Sequence, residues 1–243
     1  MDFLNSYQDV LRAKAYAKLE FPGTYYLAYR DLPEIIKKHI NGQRALDFGC
    51  GTGRSTRFLQ KIGFNTIGVD IAKSMIKQAK ETDPSGNYCL IEEGILDQFR
   101  DNTYDLVLSA FTFDNIPTRE KKVRNFLEIR RILKMDGIFV NLVSSPEIYT
   151  HEWVSFSTKD FPENKNAKNG DVVRIIITAI ADKRPVEDVL WMDEDYQDVF
   201  EKSGLKLITT YKPLAKETEQ YDWINEIKIA PWVIYLLRKT INK

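Results

Sequence analysis

The spacing of hydrophobic positions changes along the chain. Between Ile40 and Val143, short apolar runs (Ala45–Phe48, Thr66–Val69, Tyr88–Ile91, Leu106–Ala110 and Ile138–Val143) alternate with longer stretches of helical period. Those stretches are Ser55–Ile62, Ser74–Lys80 and Arg119–Lys134; in the last, Val123, Phe126, Leu127 and Leu133 share a face and the charges fall on a solvated one. Continuously apolar runs suit strands buried on both sides. Their alternation with helices predicts a parallel sheet covered on two faces. Gly63, Gly68 and Met135–Gly137 punctuate the alternation as turns.

Two segments depart from this rhythm. The first 40 residues read as helical, broken at the tyrosine-rich "FPGTYYLAYRDLP". After the fifth run comes a polar loop around Pro162–Gly170. Two β-type runs follow, Val172–Ile180 and Val186–Met192, joined by "ADKRP", which predicts an inserted antiparallel hairpin. A helix (Asp195–Lys202) and two strands (Leu205–Thr210, Ala230–Lys239) complete the pattern. The expectation is α/β: a Rossmann-like, mostly parallel seven-stranded sheet with helices on both faces, in one domain over 1–243. Within it, 1–40 form an N-terminal helical lid, 41–143 a cofactor-binding core, 144–192 an inserted substrate lid, and 193–243 the last part of the sheet.

Composition narrows the function classes. Net charge is zero, with 35 basic and 35 acidic residues, so no basic surface is expected to grip nucleic acid. Two cysteines are too few for a disulfide scaffold and favour a reducing, cytoplasmic setting. No run approaches the roughly 18 apolar residues of a membrane span, and no signal-peptide core is visible.

The candidate chemistry begins at "ALDFGCGTGRSTRFL", where Gly49, Gly51 and Gly53 follow the first apolar run and precede a helix. Glycine there admits positive φ and lets a ligand approach the backbone, at the sheet edge where open α/β folds bind ligands. A phosphate loop is excluded because Arg54, not Lys-Ser/Thr, closes the motif. The dinucleotide motif is excluded because its third glycine is missing. A purely structural turn is the remaining alternative, and it loses ground to two carboxylates: Asp47 just before the loop, and Asp70 at the end of the second run, placed to accept ribose hydroxyls.

"LDFGCGTGRST" followed by "GVDIAKSMI" resembles the first two motifs of class I S-adenosylmethionine-dependent methyltransferases, of the small-molecule (UbiE-like) branch. The likeness continues through "IEEGILDQFRDNTYDLVLSAFTFDNIP" and "LKMDGIFVNLV". It implies S-adenosyl-L-methionine as cofactor, with its amino-acid end on Gly49, Cys50 and Gly51 and its ammonium near Asp47. Asp70 would take the ribose hydroxyls, and Ile71 and Met75 the adenine. Glu93 would meet the adenine amino group, with backbone from Gly94 and Ile95, and Ser109 and Phe111 would close the cleft near the sulfonium. Cys50 itself, without a basic neighbour, reads as a packing residue rather than a nucleophile.

Where related enzymes carry a histidine pair after the fourth strand, this chain has Asp114 and Asn115. Asp114 is therefore a candidate base, an amine-binding charge or a helix cap, and His151, after the fifth strand, is the other candidate base. His39 reads as a solvated helix-end residue. Tyr25, Tyr26, Tyr29, Phe113 and Trp153, with Tyr7, Tyr149 and Arg30, are candidates for an apolar-walled substrate site. No metal is expected. The leading function is methyl transfer to O or N of a small organic molecule by in-line displacement, in a monomer or homodimer without nucleic-acid or membrane partners. Alternatives are intramolecular alkylation of the cofactor, an RNA or protein methyltransferase, and a non-catalytic cofactor-binding subunit.

Overall fold

The computed structural model describes residues 9–240; Tyr7 lies outside them. Five parallel strands follow the apolar runs: β1 (Arg44–Phe48), β2 (Asn65–Asp70), β3 (Asn87–Leu90), β4 (Tyr104–Ala110) and β5 (Leu133–Ser144). Two more, β9 (Leu205–Tyr211) and β10 (Trp232–Lys239), complete a seven-stranded sheet of order β3-β2-β1-β4-β5-β10-β9, with β10 antiparallel to both neighbours. Strand order reverses at β1, so a crevice opens between the ends of β1 and β4, the usual ligand site of such sheets.

The central strands are buried on both faces, as their unbroken apolar runs require. Leu106, Leu108, Val140, Leu142, Ile234 and Leu236 face one core with α2 (Thr24–Arg30) and α3 (Leu32–His39). Val107, Phe139, Val143, Tyr235 and Leu237 face the other, beneath α6 (Arg119–Ile132) and α7 (Asp193–Lys202). Helix α6 starts at Thr118, whose hydroxyl accepts from the Lys121 N–H at 3.2 Å and so satisfies an otherwise unpaired donor of the first turn. Two connections precede the crevice: α4 (Arg54–Lys61) after β1 and α5 (Lys73–Thr82) after β2.

Three details differ from the pattern-based expectation. Met135–Gly137 is not a turn but part of β5, where the register jumps from Tyr104↔Leu133 to Leu106↔Ile138 and the extra residues bulge outward. The buried face of α6 is Lys122, Asn125, Phe126, Ile129 and Ile132, while Leu127 is exposed. Lys122 is thus not on a solvated face but completely buried, on the stripe of Phe126 and Ile129.

The inserted region forms its own three-stranded sheet, β6 (Phe156–Ser157), β7 (Val172–Ile177) and β8 (Val186–Val189), in the order β6-β7-β8 and antiparallel throughout. It stands over the crevice together with α1 (Val10–Tyr16). Ala13 of α1 packs on Ala72 and Met75. On the same helix, Arg12 donates to the carbonyls of Arg184 and Pro185, both at 3.1 Å, and its Nε lies 3.5 Å from Asp182. The helix therefore touches the cofactor-side helix α5 and the β7–β8 turn at once. Among the described residues no helix is long and apolar enough to cross a membrane.

Candidate active site

The loop between β1 and α4 is held open by the conformations of its glycines. Gly49 and Gly51 have φ of 73° and 53°. The amides of Gly49 and Cys50 both donate to the Val69 carbonyl, at 2.8 and 2.9 Å, which curls the loop over the end of β2. A methyl group added at Gly49 would lie 2.1 Å from Thr112 Oγ1, whereas at Gly51 it would meet nothing within 4 Å. Gly49 is a close-packed hinge, and Gly51 faces open space.

Two carboxylates flank that space. Asp70 accepts from the amides of Gly51 (2.8 Å) and Ala72 (2.7 Å), which ties the loop to the end of β2. Burial raises its pKa, and those amides pull it back. Asp47 is fully buried; one oxygen accepts from Ser55 Oγ at 2.7 Å and Thr56 Oγ1 at 2.6 Å, while the other has no partner. Burial pushes its pKa up to about 6. An unpaired buried carboxylate oxygen beside an open backbone cradle fits a ligand that brings a cation. The residues therefore suit S-adenosylmethionine, with Asp47 available to its ammonium and Asp70 to its ribose.

Around this cradle the other expected contacts are not all assembled. Cys50 is buried against Ile76, Ala79 and Tyr88, which drives its thiol pKa far up, so only its backbone is available to a ligand. Ile71 is exposed, whereas Met75 is sealed under Ala13 of α1, so the two do not form an open sandwich. Glu93 turns to solvent and pairs with Lys121 at 3.0 Å, which takes it away from an adenine amino group. Gly94 has φ of 72° and backs onto the Arg124 side chain, and the Ile95 amide donates to the Glu92 carbonyl. Ser109 alternates with the cleft-side positions of β4, so its side chain enters the layer under α6 and not the cleft.

The second half of the site is a half-open cleft between the β4 and β5 ends, α1, α2 and the small sheet. Tyr16, Tyr25, Phe111, Phe156 and Trp232 are aromatic walls; Ile148, Ile175, Ile177 and Val186 are aliphatic ones. Phe111 holds φ of 65°, a backbone region that costs a bulky residue about 1–3 kcal/mol. Its ring packs on Trp232 at 4.6 Å and on Tyr25 at 5.8 Å. Next to it, Thr112 donates to the Phe48 carbonyl at 3.0 Å, joining this wall to the glycine loop.

Asp114, Asn115, Ser144, Tyr149 and Asp188 provide the polar lining. Asp114 accepts from the Ser144 amide (3.0 Å) and Ser144 Oγ (2.9 Å), so it ties the turn after β4 to the end of β5. Asp188 on β8 accepts from Tyr149 Oη at 3.1 Å. Behind Asp114, the Lys122 ammonium donates to the Phe113 carbonyl and sits over the Trp191 ring, 4.6 Å from its centroid. Burial raises the carboxyls of Asp114 and Asp188 and lowers the Lys122 ammonium; the opposite charges oppose both shifts, and Asp114 pushes Asp188 further up.

Of the residues expected to touch substrate, the structure brings Tyr25, Tyr149, Phe111 and Asp114 to the cleft. His151 stands outside it, with Nδ1 within 3.1 Å of the Glu147 carbonyl and of Thr150 Oγ1, and is not placed to act as its base. Phe113 is a core residue stacked on Phe48 and Phe126. Trp153 is buried with Nε1 bonded to the Ile148 carbonyl. Tyr26 packs on Tyr221, and Tyr29 on Phe21 and Phe58. Arg30 is held by Asp31 and Glu219, both at 2.7 Å. Asp188, Lys122 and Ser144 were missed. The signal for Asp188 was present: in a period-2 strand it shares the apolar face of Val186.

Comparison with known proteins agrees with this geometry. Residues 46–141 match the family model of a methyltransferase domain. An uncharacterised protein of Methanocaldococcus jannaschii is 28% identical over 214 residues, 86% of this chain and 78% of that one. The 2-methyl-6-phytyl-1,4-hydroquinone methyltransferase of Synechocystis is 31% identical over 102 residues, 41% of this chain and 31% of that enzyme's length. Among solved structures, an S-adenosylmethionine-dependent methyltransferase from Clostridium acetobutylicum has a TM-score of 0.65 at 14% identity, over 95% of this chain and 98% of that one. The chain carries a methyltransferase domain on a Rossmann-like sheet. It is an enzyme of the S-adenosylmethionine-dependent methyltransferase class, with S-adenosylmethionine as its cofactor.

Proposed function

We propose that this enzyme methylates oxygen or nitrogen of a small organic molecule held in the aromatic cleft. The observation that carries this reading is the cleft's place and lining: it is walled by rings and joined to the glycine loop through Phe111 and Thr112. The cofactor supplies a methyl group activated on a sulfonium. The chain's own residues do the rest. Asp47 and Asp70 hold the two ends of the cofactor's polar frame, and Phe111 separates that frame from the acceptor. The apolar walls exclude water and orient the acceptor in line, so that reaction is favoured by positioning. Asp114 and Asp188 are the groups able to take a proton from the acceptor, since both lie in the cleft and burial raises their basicity.

The hydroquinone methyltransferase among the relatives acts, by its name, on a small molecule, which favours the same class here. The test is transfer of labelled methyl from S-adenosylmethionine into a cell extract, separated by mass. Label in the low-mass fraction supports the proposal. Label confined to protein or RNA contradicts it.

A further inference from the structure

Hydrogen-bond donors and acceptors are unequally available inside the cleft. Four donor groups of its wall are engaged within the protein: Ser144 Oγ by Asp114, Tyr149 Oη by Asp188, Trp232 Nε1 by the Thr24 carbonyl at 2.7 Å, and one of the two N–H bonds of Asn115 Nδ2 by the Phe111 carbonyl at 3.3 Å. The acceptors are not filled. Asn115 Oδ1 is buried without a partner, and Asp188 accepts one side-chain bond on a carboxylate with about four acceptor sites.

Charge shows the same imbalance. Asp114 and Asp188 are 4% and 7% exposed, and neither forms an ion pair among the described residues. Two cations act on the pair from outside the cleft wall: Lys122, whose ammonium is directed to the Phe113 carbonyl and to aromatic rings, and Arg12, which is held by the Arg184 and Pro185 carbonyls and Asp182. Both cations are committed elsewhere, so no positive charge lines the cleft beside the two carboxylates. Unpaired buried charge is expensive, and a ligand that supplies the missing charge and the missing donors relieves it. The β8 strand lies against the Phe113–Asn115 turn, so the two carboxylates belong to one wall. Of the surrounding rings, Tyr16 and Tyr25 already lie against the Arg54 guanidinium, 5.6 and 4.6 Å from their centroids, and Phe111, Phe156 and Trp232 are the ones left to face a ligand cation.

Resting on the small-molecule reading above, we infer that the methyl acceptor is an amine, whose ammonium is received by Asp114 and Asp188 beside Asn115 Oδ1. An ammonium has no lone pair with which to attack. The carboxylate uses a lone pair to form an O–H bond, the N–H bond breaks, and its electron pair stays on nitrogen. The amine becomes a nucleophile and the carboxylate a carboxylic acid, without an outside reagent. The same wall disfavours carboxylate or phosphate acceptors through like-charge repulsion.

The experiment is equilibrium binding to the whole chain saturated with S-adenosylhomocysteine, whose neutral sulfur keeps the cofactor's own cation out of the comparison. The probes are 2-phenylethylamine and hexylamine, each with its alcohol and carboxylate analogue. The amines are expected to bind at least tenfold tighter than the alcohols, and the carboxylates more weakly still. Asp188→Asn, which keeps an oxygen for Tyr149, is expected to weaken amine binding about tenfold and to leave the alcohols and S-adenosylhomocysteine unchanged. Asp114→Asn is a second, independent variant with the same expectation. Alcohols or carboxylates that bind as well as the amines would overturn the amine inference and leave the small-molecule reading intact, as would amine affinity unchanged in both variants. Failure of all six probes, with S-adenosylhomocysteine still bound, would overturn both.

Discussion

Gly49 and Gly51 stand two positions apart in the same loop and have different physical duties. A side chain at Gly49 collides with Thr112, which bonds to the Phe48 carbonyl; at Gly51 it enters the space left for the cofactor. Gly51→Ala is therefore expected to cost only about 1–2 kcal/mol of stability, the penalty of the left-handed backbone, yet to weaken cofactor binding tenfold or more in calorimetry. Gly49→Ala adds the Thr112 collision to the same penalty and is expected to lower the denaturant midpoint further. Asp47 carries a second residue-scale prediction. Its pKa is about 6 in the fold against about 3.9 in an unfolded chain, so the native state holds its proton more tightly. The stability from that proton is complete below the unfolded value and is lost as pH rises through about 6. Asp47→Asn cannot ionise. It is expected to raise stability by about 3 kcal/mol at pH 7.5 and to give no gain near pH 4, in urea unfolding at each pH, while cofactor affinity falls.

At the scale of elements, α1 connects the two sides of the site. Arg12 is 3% exposed and binds two carbonyls of the β7–β8 turn, and Ala13 lies on Met75. Arg12→Ala removes both bonds and the Asp182 contact. It is expected to raise amide hydrogen exchange in residues 10–16 and 181–185 at least tenfold without changing exchange in β1, β4 or β5; uniform protection would show that α1 docks without the arginine. The strands of the sheet were legible in the sequence because a buried strand must be continuously apolar. Helix α6 was less legible. Lys122 and Leu127 exchange the positions that their polarity suggests, because tertiary context supplies Lys122 with a carbonyl and three aromatic rings.

For the whole molecule, the glycine loop with its two carboxylates was readable, while the contacts expected of Ile71, Met75, Glu93 and Ser109 and the acceptor cleft were not. Gly49, Gly51, Asp47 and Asp70 lie close in sequence to the turns that assemble them, so local spacing carried their geometry. The acceptor cleft is built from Tyr16, Phe111, Ser144, Asp188 and Trp232, which meet only once the small sheet and α1 fold over the sheet edge. Sequence distance hid that meeting, and single-residue chemistry misdirected it: His151 is the familiar base by type but is bonded outside the cleft, whereas Asp188, in the inserted hairpin, lines it. The most direct test of the account is a crystal structure with S-adenosylhomocysteine bound. The account predicts its amino-acid end on Gly49–Gly51 near Asp47, its ribose on Asp70, and its sulfur beside Phe111, opening toward Asp114 and Asp188. A ligand bound elsewhere, or a sulfur turned away from that cleft, would contradict it.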